Sequence, residues 1–273
     1  MRGPLVSCLC ITKNDLGQLR RAVRCFSGQS YPHKELVIVH EGLGTAVTDW
    51  LGRLKTINVK IVPVPIRPKK SLGELRNISI AHARGEYFCQ WDDDDWYHRD
   101  RVKVQLAQAL TQRQPATFLM NWLIYNEKNS RAYFSQLRPW EGSILCRRDV
   151  YPGIKYPDQS RAEDAYFLRQ LMIKHKVFPV VSSPLYIYVF HGKNTWDKDH
   201  FNILFKTSQK LSNATSLLIG DILGSQYSMK AASDLLHSDS LLNEINYFHG
   251  SKQYLKNLAR LGRSGGATGI SIP

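Results

Sequence analysis

Four short apolar runs alternate with three amphipathic segments in the first third of the chain, and that alternation sets the fold class. Leu5–Val6–Ser7–Cys8–Leu9–Cys10–Ile11 is a continuous β-prone run, as expected of a strand covered on both faces. It ends in the polar turn Thr12–Lys13–Asn14–Asp15. Leu16, Leu19, Val23 and Phe26 then recur at helical spacing and predict a helix from Leu16 to Ser27, which Tyr31–Pro32 breaks. Glu35–His40 reads as a second buried strand, Val47–Leu54 as a weaker helix and Val59–Val64 as a third strand. Pro63, Pro65 and Pro68 keep the next stretch extended until Ser71–Leu72–Gly73–Glu74, a capping-box pattern. The helix it opens carries Leu75, Ile78 and Ala81 or His82 on one side and ends near Gly85. A fourth strand, Glu86–Trp91, follows. This order predicts an α/β fold with a mostly parallel central sheet and helices on both faces. Ligands of such sheets sit beyond the carboxyl ends of the strands, a rule that places Thr12–Asn14, His40–Glu41 and the residues after Trp91 along one edge.

Those last residues are Asp92–Asp93–Asp94–Asp95. Adjacent like charges repel, and the apolar run before them predicts a buried strand end. A cation with oxygen ligands relieves the repulsion; water together with Arg99 or Arg101 is the plainer alternative.

The second half predicts a helix over Arg99–Gln112, a strand over Thr117–Tyr125, a hairpin turn at Asn126–Asn129 and a strand over Trp140–Cys146. Ser160–Arg161–Ala162–Glu163 has a second capping-box pattern, opening a helix that buries Ala165, Leu168, Leu171 and Met172. Strands near Val177–Val181 and Leu185–Phe190 end at His191–Gly192. Beyond Trp196, Phe201–Gly224 and Met229–Leu261 read as amphipathic helices, a C-terminal helical appendage, and residues 263–273 as a flexible tail.

A length of 273 residues fits one large α/β domain, alone or with such an appendage. The net charge of +14 implies an anionic partner: nucleic acid, a phosphorylated small molecule or a lipid surface. No long basic run with interleaved aromatics is present, so no nucleic-acid partner is expected. Five cysteines without a Cys-x-x-Cys pair, four of them in apolar runs, read as reduced core residues. With no secretory signal and no apolar run of ~18 residues, a cytoplasmic location is expected, with the inner face of a membrane as a candidate peripheral contact.

Polar groups along one sheet edge, Glu163–Asp164 at a helix start and His191 at a strand end together resemble the family 2 glycosyltransferases of the GT-A fold. The resemblance covers Pro4–Trp196. It rests on Val6–Asn14, on Gly73–Asn77 with Ala83–Arg84–Gly85–Glu86–Tyr87, on the Asp-x-Asp within Asp92–Asp95, and on Glu163–Asp164. It implies a catalytic domain over 1–196, with a nucleotide-sugar half at 1–97 and an acceptor half at 98–196, followed by a helical extension at 197–262. Thr12 and Asn14 would line the nucleotide pocket, Arg76 would face the donor, and Asp92 with Asp93 would reach the nucleotide sugar. Asp94 and His191 would bind a divalent cation, Mn2+ or Mg2+. Asp164 would be the general base of an inverting transfer, although its place at a helix start is expected to depress its pKa. Trp140, Glu163 and Trp196 would contact the acceptor; the plainer readings are a helix cap for Glu163 and core packing for the tryptophans.

Two departures from the family pattern stand out. His40 and Glu41 replace the usual aspartate pair, and Lys13 replaces an aromatic residue. Glu41 would accept hydrogen bonds from the base or ribose. UDP is the default nucleotide, with GDP and dTDP open, and the acceptor hydroxyl would belong to a glycan, a lipid-linked saccharide or a protein. The rival readings are a sugar nucleotidyltransferase and a basic binding protein on a degenerate GT-A scaffold. The former calls for a Gly-rich phosphate loop, which Thr12–Asp15 is not.

Overall fold

The computed structural model of the chain describes residues 3–13, 15–42, 44–54, 58–181 and 183–249. The first half alternates as expected: β1 (Val6–Thr12), α1 (Leu16–Ser27), β2 (Lys34–Glu41), α2 (Thr45–Gly52), β3 (Val59–Val64), α3 (Leu72–His82) and β4 (Tyr87–Gln90). There follow β5 (Trp96–Tyr97), α4 (Arg101–Thr111), β6 (Ala116–Leu119), β7 (Leu123–Asn126), β8 (Arg131–Phe134) and β9 (Trp140–Arg147). Next come α5 (Glu163–Lys174), β10 (Val177–Val180) and β11 (Tyr186–Phe190), and the last described third holds α6 (Lys198–Thr207), β12 (Gln209–Lys210), α7 (Asn213–Leu223), α8 (Met229–Leu236) and α9 (Asp239–His249).

The larger sheet has seven strands in the order β10-β6-β9-β4-β1-β2-β3. Only β9 runs antiparallel to its neighbours, β4 and β6. Central β1 is buried along its whole length, which is why its sequence is apolar except for Ser7 and the terminal Thr12. Ser7 donates to the buried Glu35 carboxylate at 2.7 Å. A second sheet of five strands, β12-β8-β7-β11-β5, is antiparallel except between β7 and β11. The hairpin at Asn126–Asn129 joins β7 to β8 as expected.

Several expectations need correction. The run Thr117–Tyr125 is two strands in different sheets: the chain leaves β6 at Leu119, and the Met120 amide still bonds to the Val180 carbonyl at 2.9 Å. Both sides of the crossing are apolar, so hydropathy alone does not mark it. In α3 the capping box at Ser71 and Glu74 forms, but the buried face carries Leu75, Arg76, Ser79 and Ile80. Arg76 turns inward because two carboxylates await it. Gly73 allows the approach of the 157–159 segment: its amide donates to the Gln159 carbonyl at 3.0 Å, and a Cβ there would lie 1.8 Å from the Pro157 carbonyl oxygen.

The C-terminal helices are shorter than expected and are not set apart. Ser212 caps α7 through its hydroxyl and so divides the expected Phe201–Gly224 helix, while α8 starts at Met229 as expected, capped by Ser228, but stops at Leu236 before α9. Phe201, Leu204, Ile219, Ile222, Leu236 and Ile245 lie in the same apolar cluster as Leu19, Phe26 and Tyr186. Residues 250–273, with the remainder of the expected final helix and the tail, lie outside the described residues. No helix of the described residues is long and apolar enough to cross a membrane.

Candidate active site

Trp91 is fully buried and anchors the turn after β4: its indole Nε1 donates to the Ala22 carbonyl at 3.0 Å, and its ring lies 4.0 Å from that of Tyr97. The four aspartates that follow have four different environments. Asp92 accepts from Arg76 at 3.0 Å. Asp93 accepts from the Thr12 side chain and the Lys13 backbone, and burial, with Asp94 adding, pushes its pKa up to about 7. Asp94 directs Oδ2 at His191 Nε2, 3.1 Å away, and accepts from Asn194 at 3.2 Å, while its own carbonyl accepts from Arg21. Asp95 is buried beneath β11, accepting from the Tyr186 hydroxyl and from the Val189 amide at 2.9 Å. Neither arginine suggested as a counter-ion serves here. Arg101 is buried among the rings of Trp91, Tyr97 and Tyr186, at 5.3, 4.6 and 5.1 Å, and donates to Gln105. The Arg99 amide bonds to the Ser233 side chain.

The facing wall is the start of α5. The expected capping box at Ser160 does not form: Ala162 occupies the N-cap with φ 57°, no side chain caps the helix, and Ser160 Oγ accepts from the Leu72 amide at 3.2 Å. Glu163 is instead buried and takes Arg76 Nε at 2.9 Å. One guanidinium therefore joins the two walls, bonding Asp92 and Glu163 together. With its amide oriented to satisfy both sides, Gln90 also accepts from Arg76, at 2.9 and 3.0 Å.

Asp164, the next residue, has a pKa raised to about 7. Burial is the main cause, followed by the Glu163 charge, while Arg76 opposes. The depression expected from the helix start is overturned, because burial and neighbouring carboxylates outweigh the helix dipole.

Between the walls lies a cleft of about 570 Å³. Arg76, Asp92, Asp93, Asp94, Glu163, Asp164 and His191 border it, along with Trp140 and Trp196. Trp140 stacks on Trp122 at 4.6 Å and is 7% exposed, so it is mostly core with one edge on the cleft. Trp196 stacks on His200 at 4.4 Å. Lys13 reaches across to Thr195 Oγ1 at 2.8 Å, linking the end of β1 to the 191–196 segment. Among the described residues no three His, Cys, Asp or Glu side chains converge on one point, and what the cleft offers a metal is the pair Asp94 and His191.

The model of glycosyl transferase family 2 matches residues 7–179. The chain belongs to that family. Two Bacillus subtilis relatives are each 28% identical: TuaG, named a teichuronic acid biosynthesis glycosyltransferase, over 103 residues, and the glycosyltransferase EpsH over 109 residues. These stretches cover 38% and 40% of this chain but only 41% and 31% of those proteins, less than half of either. Two solved structures share the fold. S. aureus TarS in complex with UDP-GlcNAc has a TM-score of 0.55 at 12% identity, covering 78% of this chain and 70% of that one. Mannosyltransferase PcManGT from Pyrobaculum calidifontis, in complex with GDP-Man and Mn2+, has a TM-score of 0.54 at 13% identity, covering 96% and 80%.

Within this family 2 member, two residues expected in the nucleotide pocket do not border the cleft. Thr12 is buried against Asp93, and Glu41 Oε1 accepts the Lys70 amide at 2.8 Å; neither is among the described residues that border the cleft. Asn14 lies outside the described residues. His40 is buried with Nδ1 unpartnered, and burial lowers its pKa. Glu141, Tyr188 and Asn194 border the cleft and were not singled out from the sequence. Asn194 sits in the His191–Trp196 segment already marked by its histidine; Glu141 and Tyr188 are ordinary strand residues and carry no local signal.

Proposed function

We propose that this protein transfers a sugar from a nucleoside diphosphate sugar to an acceptor hydroxyl, with inversion at the anomeric carbon. The observation that carries the reading is Asp164, a carboxylate with its pKa raised to about 7, bordering the same cleft as Asp92 and Asp94. A base poised near neutrality can take the acceptor's O–H proton. The freed oxygen then bonds to the anomeric carbon as the carbon–oxygen bond to the diphosphate breaks, and the electron pair leaves on the nucleoside diphosphate. Attack from the Asp164 wall opposite the aspartate wall accounts for inversion.

Asp94 and His191 suit a hard divalent cation that takes its other ligands from substrate phosphates and water, and Mn2+ or Mg2+ fits that donor set. Such a cation would neutralise charge on the leaving diphosphate. Arg76 is committed to Asp92 and Glu163, so its part is to hold the two walls together and orient Asp92 toward the donor. Asp93 positions the β1 turn through Thr12 and Lys13. The exposed edge of Trp140 and the Trp196 ring offer apolar surface to an acceptor. Glu41, already bonded to Lys70, contributes to the nucleotide site by holding the 67–70 segment.

The bound ligands of the two structural neighbours make both UDP- and GDP-sugars worth testing, with UDP first. A thermal-shift screen of UDP-GlcNAc, UDP-glucose, UDP-galactose and GDP-mannose, with and without Mn2+, is expected to show a metal-dependent rise for one donor. Asp164→Asn should keep that rise and lose transfer by about 10²–10⁴-fold. The reading is wrong if no donor stabilises the protein, or if Asp164→Asn transfers at the full rate.

A further inference from the structure

A shallow groove of about 360 Å³ adjoins the cleft along one side of α5. Ala165, Leu168, Arg169, Met172 and Ile173 line it, a spacing of i, i+3, i+4, i+7 and i+8 that forms one stripe on the helix, and Pro139 and Glu141 form the other side. The stripe starts one residue beyond Asp164 and extends roughly 12 Å at 1.5 Å per residue. Glu141 and Ala165 border both the groove and the cleft, so the two spaces are neighbours. Leu168 is part of the core floor at 3% exposure, whereas Ile173 stands 66% exposed.

We propose that this groove takes the aliphatic chain of an amphiphilic acceptor whose hydroxyl is presented to Asp164. The inference rests on the reading of Asp164 as the base. Its ground is the contrast between the two ends of the site. The cleft end offers the edge of Trp140 and the rings of Tyr188 and Trp196 beside polar groups such as Asp92, Asp94 and Asn194, which suits sugar rings. The groove is walled by Pro139, Leu168, Met172 and Ile173, with Glu141 and Arg169 as the charged side chains among the described residues that line it. A sugar chain laid there would find few hydrogen-bond partners on the groove wall, whereas a hydrocarbon would take apolar surface out of water. Met172 lets the wall adapt to a flexible chain. Arg169 supplies a cation suited to a phosphate or carboxylate between chain and head group.

Octyl β-glucoside, below its micelle-forming concentration, and methyl β-glucoside serve as probes of the full chain, with binding read by ligand NMR line broadening. The octyl compound is expected to bind at least about tenfold more tightly. Ile173→Glu, at an exposed site, should remove most of that preference while leaving the donor-induced thermal shift unchanged. Equal binding of the two glucosides, or a preference that survives Ile173→Glu, overturns the proposal. So does binding to phosphatidylcholine vesicles that depends on Ile173 without any binding of the monomeric octyl compound, because the stripe would then be a membrane contact. Absence of a donor-induced shift would instead count against the glycosyl-transfer reading, and alkyl binding is measured independently of it.

Discussion

Arg76 is the residue on which both walls of the site depend. Its guanidinium bonds Asp92 at 3.0 Å and Glu163 at 2.9 Å, and the Arg76 and Glu163 side chains are only 6% and 3% exposed. Removing one partner of such a buried pair strands the other charge. Arg76→Met should therefore destabilise the fold by about 3–5 kcal/mol in urea unfolding, and adding Glu163→Gln should recover part of that loss. The sequence placed Arg76 near the chemistry but pointed it at the donor, because its carboxylate partners are 16 and 87 residues away. The same distance in sequence hid the role of Glu163, whose local pattern matched a capping box. Asp164 gives a pH test. Its raised pKa favours the protonated form, whereas a base must be ionised, so transfer should rise with pH through about 7 and level off above it. The sign for stability is opposite: what Asp164 contributes is fully present below its unfolded pKa of ~3.8 and lost as pH rises through about 7. Asp164→Asn should then raise the urea midpoint at about pH 8 and leave it nearly unchanged at about pH 4.

Whole elements were more legible than the site. The apolar runs of β1, β2 and β4 are covered, whereas the edge strand β3 leaves Ile61 41% exposed; α1 has the ends its apolar spacing predicts, with the Asp15 side chain as its cap and Gly28 after it. Legibility failed where two signals overlap, as in the passage from β6 to β7, or where a cap sits inside an apolar pattern, as at Ser212. Glu244 of α9 adds to that cap, accepting from the Ser212 amide at 2.5 Å and the Thr215 hydroxyl at 2.7 Å. Helix α8 docks on the segment after β5 through His98, whose Nε2 meets the Ser233 carbonyl at 3.2 Å and whose Nδ1 accepts the Asp100 amide at 3.0 Å. Burial, reinforced by the neighbouring His237, lowers the His98 pKa to about 4. The stability it confers is present above its unfolded pKa of ~6.5 and lost as pH falls toward 4, at most about 3 kcal/mol. The urea midpoint should fall across that window, and His98→Gln should flatten part of the fall. Gly73→Ala should also destabilise the contact between α3 and the 157–159 segment, by about 1–3 kcal/mol, because backbone and not a movable side chain occupies the space a Cβ needs.

At the scale of the whole molecule, the expected boundary after Trp196 falls within a shared core. Phe201 and Ile219 are fully buried, and β12 extends the second sheet by pairing with β8. A chain shortened to residues 1–196 should expose this apolar face, lose its cooperative urea transition and bind apolar dyes. The charge of +14 favours an anionic partner by composition but says nothing of where it would sit. Among the described side chains that border the cleft, seven carboxylates outnumber four lysines and arginines, which is where the bound cation of the proposed reaction enters the balance.

The short strand β12 has a consequence for how the protein is made. Its partner β8 and the aspartate turn leave the ribosome early, yet the residues that cover them extend as far as Ile245. At about 5–20 residues per second, the interval between Asp95 and Ile245 lasts roughly 8–30 s. Within that time the second sheet, as β7, β8 and β11 are made, lacks β12 on its β8 edge until Lys210 and the full cover of its apolar face until Ile245, so this is the window in which a chaperone has most to protect.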